Sequence, residues 1–479
     1  MTGMVMRRNA RGTQVLGRWI LLCAATIPLA AGVLLPNWWA IPPDAARALS
    51  VTVTAVVLWW SHLLPLSITA LVAVGLLVVT GAAGSFAEAA TGFASDTVFF
   101  LFAANLLAHA VVQAGLVDRL TRAVGPAGET DVRRAFVVVT VVTGCMALLI
   151  PSALVRIKVL LPVVERMTRR MGVTGPRFRT AAGLVGALLG PVASISIMTG
   201  GGMSIVVARL LEQFHHPVSW LQWFALMSVP NLLIFLAVSA FIWRTYGSVT
   251  AVSRTLQRVT RDAPVAPMRW EGPEYVALLA LGATLAAWML SGPAGVPLSV
   301  PPIAAVAFLA LPQVGLVTAR TVEKQRWDEI LVVGSALSLS AALGRSGAIQ
   351  WVADQLFTLF PTRPGPVITY IAVMVFAIAI RQLFLQPSPG IAITLPIVIE
   401  VGRRTGVDPL FLAMITAGVM GVVQILPVQS PPSLVCVTEG VFNTKDELRV
   451  APVLMAASVA AYLFAASIYW PLLRWLHVI

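Results

Sequence analysis

Three cations stand where an apolar chain has least reason to hold them. Arg156 and Lys158 fall inside the apolar stretch 135–164, and Arg381 falls inside the stretch 366–400. An ionised side chain at bilayer depth costs about 3 kcal/mol or more unless it is paired, which makes each a candidate for binding an anion. The alternative is structural: long basic side chains snorkel to the interface or cap backbone carbonyls. Beside these cations lie polar groups next to helix breakers. Ser152 follows Pro151, Gln386 precedes Pro387, Ser388 and Pro389, and Ser430 and Ser433 bracket Pro431 and Pro432. Such hydroxyls and amides can serve a ligand, or they can satisfy backbone groups that proline frees.

The elements that must position these residues are read from composition and period. Of 479 residues, 58% are hydrophobic and 11% charged, against about 25% charged in a soluble domain. Apolar runs recur from Trp19 almost to Ile479, and no segment is long enough for a separate soluble domain. The expected class is an all-α polytopic membrane protein. Its net charge of +13 sits in short connections between the runs, which reads as membrane topology, not as a nucleic-acid-binding face. Arg7, Arg8, Arg11 and Arg18 precede the first run, so residues 1–46 are expected to form a cytoplasmic N-terminal segment and an uncleaved first span. Cys23, Cys145 and Cys436 have no metal-ligand spacing and read as small buried hydrophobes.

The stretch 135–164 is too long for one span and too short for two. Its flanks, Arg119, Arg122, Arg133 and Arg134 before and Arg166, Arg169, Arg170, Arg177 and Arg179 after, place both ends on the same side. A re-entrant hairpin turning at Pro151 and Ser152 is expected. The stretch 366–400 is its counterpart, broken at Gln386 to Gly390. Each hairpin is followed by a glycine- or proline-broken helix, at 181–210 and 408–438. Paired broken elements in two halves of a membrane chain point to a transporter binding site. The halves also match ahead of the hairpins, where Gly115 and Gly347 occupy equivalent places. The expected organisation is a first repeat at 47–246, a basic cytoplasmic connector at 247–271 containing Arg254, Arg258 and Arg261, and a second repeat at 272–479.

Four stretches, LWWSHLLPLSITAL, AVVQAGLVDRL, residues 327–347 and LPVQSPPSLVCVTEGVFNTKDELRVAPVL, resemble the divalent anion:sodium symporter family of the ion transporter superfamily. That resemblance implies an inverted repeat, a scaffold that holds a homodimer, and an elevator motion of hairpins and broken helices. It implies a small anionic substrate, a di- or tricarboxylate, with sodium as coupling ion, carried across a bacterial-type inner membrane. The family's Ser-Asn-Thr tips fall here on Ser152, Ala153 and Leu154 and on Gln386, Pro387 and Ser388. Its Gly-Thr-Pro-Pro-Asn pattern stands as Gln429, Ser430, Pro431, Pro432 and Ser433, with Gly200, Gly201 and Gly202 in the first half. His62 stands where the family suggests a glutamate.

Carried over residue by residue, the resemblance places substrate contacts on these tips and breaks; Arg156 and Arg381 join them as candidates because their charge lies inside apolar runs. Sodium is expected near Ser152, Gly200, Ser388 and Gln429. The tips have lost their asparagines, so a sodium-independent exchanger, a proton-coupled carrier or a channel for another anion such as sulfate stays open beside sodium symport. A membrane enzyme is not expected: acidic residues are nearly absent from the spans, and no Ser-His-Asp set or HExxH occurs.

Overall fold

A computed structural model describes residues 26–32, 41–61, 63–116, 119, 132–150, 152–170, 175–247, 271–358, 365–384, 386–426 and 429–479. Most of the first span, His62, Pro151 and the connector arginines lie outside them. The described residues are helical, with no strand among them. Six of the helices are long and apolar enough to cross a membrane, and four shorter apolar helices accompany them.

By packing, the chain forms two units. The first comprises Met1–Phe99, Val206–Pro217 and Arg326–Met420. Its centre is the helix Trp327–Arg345, against which Pro43–Ser61, Leu66–Val79, the 3-10 turn Thr91–Ala94 and Pro387–Thr405 all pack. That helix can be central because the side chains it buries include small ones, Gly334, Ser335, Ala336, Ser338 and Ser340, which let neighbouring backbones approach. The approach is close enough for the Gly92 N–H to donate to Ser338 Oγ at 3.1 Å.

The second unit comprises Phe100–Ile205, Val218–Gln325 and Gly421–Ile479. The helices Trp220–Tyr246 and Thr444–Phe464 pack side by side. They are pinned by Tyr462 Oη donating to Asn231 Oδ1 at 2.6 Å. A separate apolar cluster joins Leu106, Leu107, Ala110 and Val111 to Ala277, Leu281 and Leu309. At its margin Arg119 and Glu274 form a buried ion pair at 2.5 Å.

Both expected hairpins are helix–turn–helix elements, longer than their apolar cores suggested. The first runs Val132–Leu149 and Ala153–Arg170, the second Pro366–Arg381 and Pro387–Thr405. In each, the two arms pack against one another. The helix expected to break within 181–210 runs Gly175–Leu184, continues through a π turn Val185–Leu189 and Gly190–Ile195, opens at 196–201, and resumes at Gly202–Gln213. Pro191 therefore does not make the break. A proline lacks the N–H for the preceding turn and crowds its carbonyl, and the π turn just before it supplies the extra room. The same device, Ala465–Tyr469, precedes Pro471. The second broken helix runs Pro409–Val422 and Pro431–Thr438, with 423–426 and 430 non-helical and a 3-10 residue at Gln429. Gly115 and Gly347, matched in the sequence, share a left-handed backbone, with φ of 86° and 75°.

Candidate functional site

Within each unit the sequence-predicted tip and break residues stand at helix N-termini. Ser152 directly precedes the arm Ala153–Arg170, with its carbonyl accepting the Arg156 N–H at 3.0 Å, so Ala153 and Leu154 open that arm. Gly201 and Gly202 stand at the start of Gly202–Gln213. Gln386 is the N-cap of Pro387–Thr405, followed by Pro387 and the buried Ser388. Ser430 is the N-cap of Pro431–Thr438, with Pro431, Pro432 and the buried Ser433 in its first turn. Four helix N-termini therefore carry the tip and break residues, whereas Arg381 closes the helix Pro366–Arg381 and Arg156 lies within Ala153–Arg170. Proline suits the first helical position because its missing N–H would be unpaired there anyway. The remaining N–H groups and the helix dipole favour negative charge.

In the second unit, Pro431–Thr438 packs against the arm Ala153–Arg170 and against the π turn Val185–Leu189. This brings the Ser430–Ser433 break of the second half beside the hairpin of the first. The π turn and the arm approach closely at Gly186, where a Cβ would lie 2.6 Å from Ile157 Cδ1 and 2.8 Å from Leu160 Cδ2.

Arg156 is 4% exposed, and its guanidinium lies inside this assembly. It donates to the Ile150 carbonyl at the hairpin turn at 2.6 Å, to Ser194 Oγ, to the Gly190 carbonyl at 3.4 Å and to the Gly200 carbonyl at 3.5 Å. Its Nε has no hydrogen-bond partner among the described residues. Arg381, 2% exposed, does the same work in the first unit. Its Nε donates to the Met420 carbonyl at 2.8 Å, and an Nη donates to the Phe384 carbonyl in the second hairpin turn at 2.5 Å. Each arginine ties a hairpin turn to a broken helix through carbonyls. Carbonyl capping, one of the two roles open to them from the sequence, is thus observed. Lys158, two residues along, is exposed.

Two of the four candidate sodium positions have their oxygens engaged. Gln429 Oε1 accepts from the N–H groups of Ile425 and Leu426 at 2.7 and 3.0 Å, acting as a cap for the break. The Gly200 carbonyl faces the Arg156 guanidinium. A sodium ion needs oxygen lone pairs without a competing donor or cation, so the residues present do not fit one at Gly200 or Gln429.

Sequence reasoning passed over two buried acids. Glu274 pairs with Arg119, and Glu447, at 0% exposure in the first turn of Thr444–Phe464, is the more isolated. The sequence TKDELR around it reads as a charged helix start, and only the fold reveals its burial. Cys145 is exposed and Cys436 buried, so the reading of both as buried hydrophobes holds only for Cys436; Cys23 lies outside the described residues.

A family profile described as the sodium:sulfate symporter transmembrane region matches residues 16–476. A membrane protein of Cupriavidus necator is 22% identical, over 95% of this chain and 93% of its own length. The human Na(+)/dicarboxylate cotransporter 3 is 28% identical over 26% of this chain and 20% of its own length. The chloroplastic dicarboxylate transporter 2.2 of Arabidopsis thaliana is 22% identical over 71% of this chain and 62% of its own.

Proposed function

Because this chain belongs to the sodium:sulfate symporter family of multi-pass membrane transporters, we propose that it is a secondary carrier for a small organic anion of di- or tricarboxylate type, and that it runs without sodium. The observation that carries this reading is the same at both hairpins: the N-terminus of the second arm lies next to a turn held by a buried guanidinium. Helix N-termini and fixed cations favour an anion. The human and Arabidopsis relatives are named for dicarboxylates, which supports a carboxylate before sulfate. Sodium independence is supported by the donors already on Gly200 and Gln429, and by the guanidinium that Arg156 places beside the first break.

The two halves, 47–246 and 272–479, then act as inverted repeats. Hairpins and broken helices move as an elevator, and the remaining helices form a scaffold joining two copies. The chain sits in a bacterial-type inner membrane with its N-terminus in the cytoplasm. The repeated order of hairpin, broken helix and long helix supports this, as do the matched conformations of Gly115 and Gly347.

The test is counterflow of radiolabelled succinate into proteoliposomes preloaded with succinate, with citrate and sulfate as competitors. Saturable, trans-stimulated uptake that is unchanged when sodium is replaced by potassium is expected. Flux without saturation identifies a channel. A strict sodium requirement removes the sodium-independent part of the proposal, and stronger competition by sulfate than by any carboxylate reassigns the substrate.

A further inference from the structure

Glu447 is a fully buried carboxylate at the start of a segment, Thr444–Trp475, apolar enough to span the membrane. It does not cap its own helix. That task falls to Asp446, which accepts the Asn443 N–H at 3.1 Å and also takes the Tyr246 hydroxyl at 3.0 Å. Neither oxygen of Glu447 has a hydrogen-bond partner among the described residues. The Ser433 hydroxyl on Pro431–Thr438 lies beside it, short of hydrogen-bonding geometry. The other ionisable groups near this face are Cys436 and, at the end of the same helix, Glu439. Arg179 is the nearby cation, but its guanidinium is spent on Glu165 and on the carbonyls of Gly440 and Glu439. On its own helix Lys445 and Arg449 are exposed. None of these cations bonds to Glu447.

An ionised carboxylate buried without a partner costs several kcal/mol, so the group must be neutralised. A hard metal ion takes about six oxygen ligands, and one hydroxyl beside the carboxylate is far too few. A proton needs only the carboxylate itself. Ser433 Oγ already accepts a hydrogen bond from Gln424 Nε2 at 3.2 Å, which leaves the serine hydrogen to turn toward Glu447. Gln424 lies in the non-helical stretch between the two segments of the broken helix. A chain of three side chains therefore runs from the buried acid to the break.

We propose that Glu447 is the proton-carrying group of the transport cycle, and that Ser433 and Gln424 transmit its protonation to the broken helix. A proton from water on the loading side adds to a carboxylate oxygen and leaves to water on the other side; only that O–H bond is made and broken. In this state Glu447 is neutral. When the site opens to water and the proton leaves, the carboxylate accepts a hydrogen bond from the Ser433 hydroxyl, which polarises Ser433 Oγ and changes the strength of its bond to Gln424 in the break. The inference rests on the carrier reading above.

The experiment uses the full chain in proteoliposomes that trap a fluorescent pH indicator, with succinate as the probe. Wild-type protein should show labelled-succinate counterflow whose rate varies with pH, and an inward succinate gradient should acidify the lumen. In Glu447→Gln, acidification should fall to the rate of protein-free liposomes and the pH profile of counterflow should flatten. Glu447→Asp, which still titrates, should keep acidification with a displaced pH midpoint, and it serves if the glutamine variant is not recovered. Counterflow by wild-type protein without acidification overturns this inference and leaves the carrier reading intact. Absence of counterflow overturns the carrier reading and this inference with it. Undiminished acidification in Glu447→Gln, an unshifted profile in Glu447→Asp, or a sodium gradient that substitutes for the proton in driving accumulation each refute the assignment.

Discussion

Replacing Arg156 by alanine removes the guanidinium that joins the first hairpin turn to the first broken helix. The bond to the Ile150 carbonyl, at 2.6 Å, is strong by geometry, and a second joins the guanidinium to Ser194 Oγ. The bonds to Gly190 and Gly200, at 3.4 and 3.5 Å, contribute less. A hydrogen bond to a charged group contributes about 1.5–3 kcal/mol, so the bonds to Ile150 and Ser194 amount to about 3–6 kcal/mol. Part of this is offset, because the variant no longer buries a charge. Ser194 also keeps its own bond to the Gly190 carbonyl at 2.9 Å, so the Ile150 carbonyl is the main group left without a donor. A net loss of about 3 kcal/mol at the junction is a change of about a hundredfold in the local opening equilibrium. Hydrogen–deuterium exchange in nanodiscs reads this directly, because protection at a locally opening segment reports its opening free energy. Exchange should quicken by about a hundredfold in peptides covering 150–157 and 194–203, while Lys158→Ala, at an exposed position, leaves both unchanged. Arg156→Lys should fall between, since an ammonium on a simpler stem cannot reproduce the planar fork. Wild-type protection in Arg156→Ala, or equal loss in Lys158→Ala, would refute the argument.

Arg381→Ala removes donors from the Met420 and Phe384 carbonyls, and succinate counterflow should drop at least about tenfold, a loss of about 1.4 kcal/mol, in protein that still elutes as a folded species. Gln429→Ala leaves two backbone N–H groups of the break without their acceptor; a loss of about 1–3 kcal/mol should appear as a lower thermal unfolding midpoint, and Gln429→Glu, which keeps the accepting oxygen, should restore most of it. For the buried pair of Arg119 and Glu274, Arg119→Leu alone should cost about 3–5 kcal/mol and the double change to leucine less. A double-mutant cycle in thermal unfolding checks this, and a double variant worse than the sum of the singles would contradict it.

The breaks are legible in the amino-acid sequence because they are local chemistry. Proline at 387 and 431 favours a helix start, and the apolar run 135–164 is too long for one span and too short for two, so hairpins and broken helices are expected from chain length and backbone hydrogen bonding. The same logic flags Arg156 and Arg381, since charge inside an apolar run is costly wherever the run folds. What it cannot decide is which atoms answer that charge. Ile150, Gly190, Ser194 and Gly200 come to Arg156 only when the hairpin packs on the broken helix, and Met420 comes to Arg381 in the same way.

Local pattern misleads at three positions for one reason. Pro191 has the look of a helix break but is absorbed by a π turn. Gln429 has the look of a cation ligand but caps backbone amides. Glu447 has the look of one acid of a charged helix start but is fully buried. In each case the sequence by itself determined the type of group and its secondary structure. Its partner or its exposure was decided by segments brought close only by the fold, because burial and hydrogen bonding belong to pairs of elements and not to one.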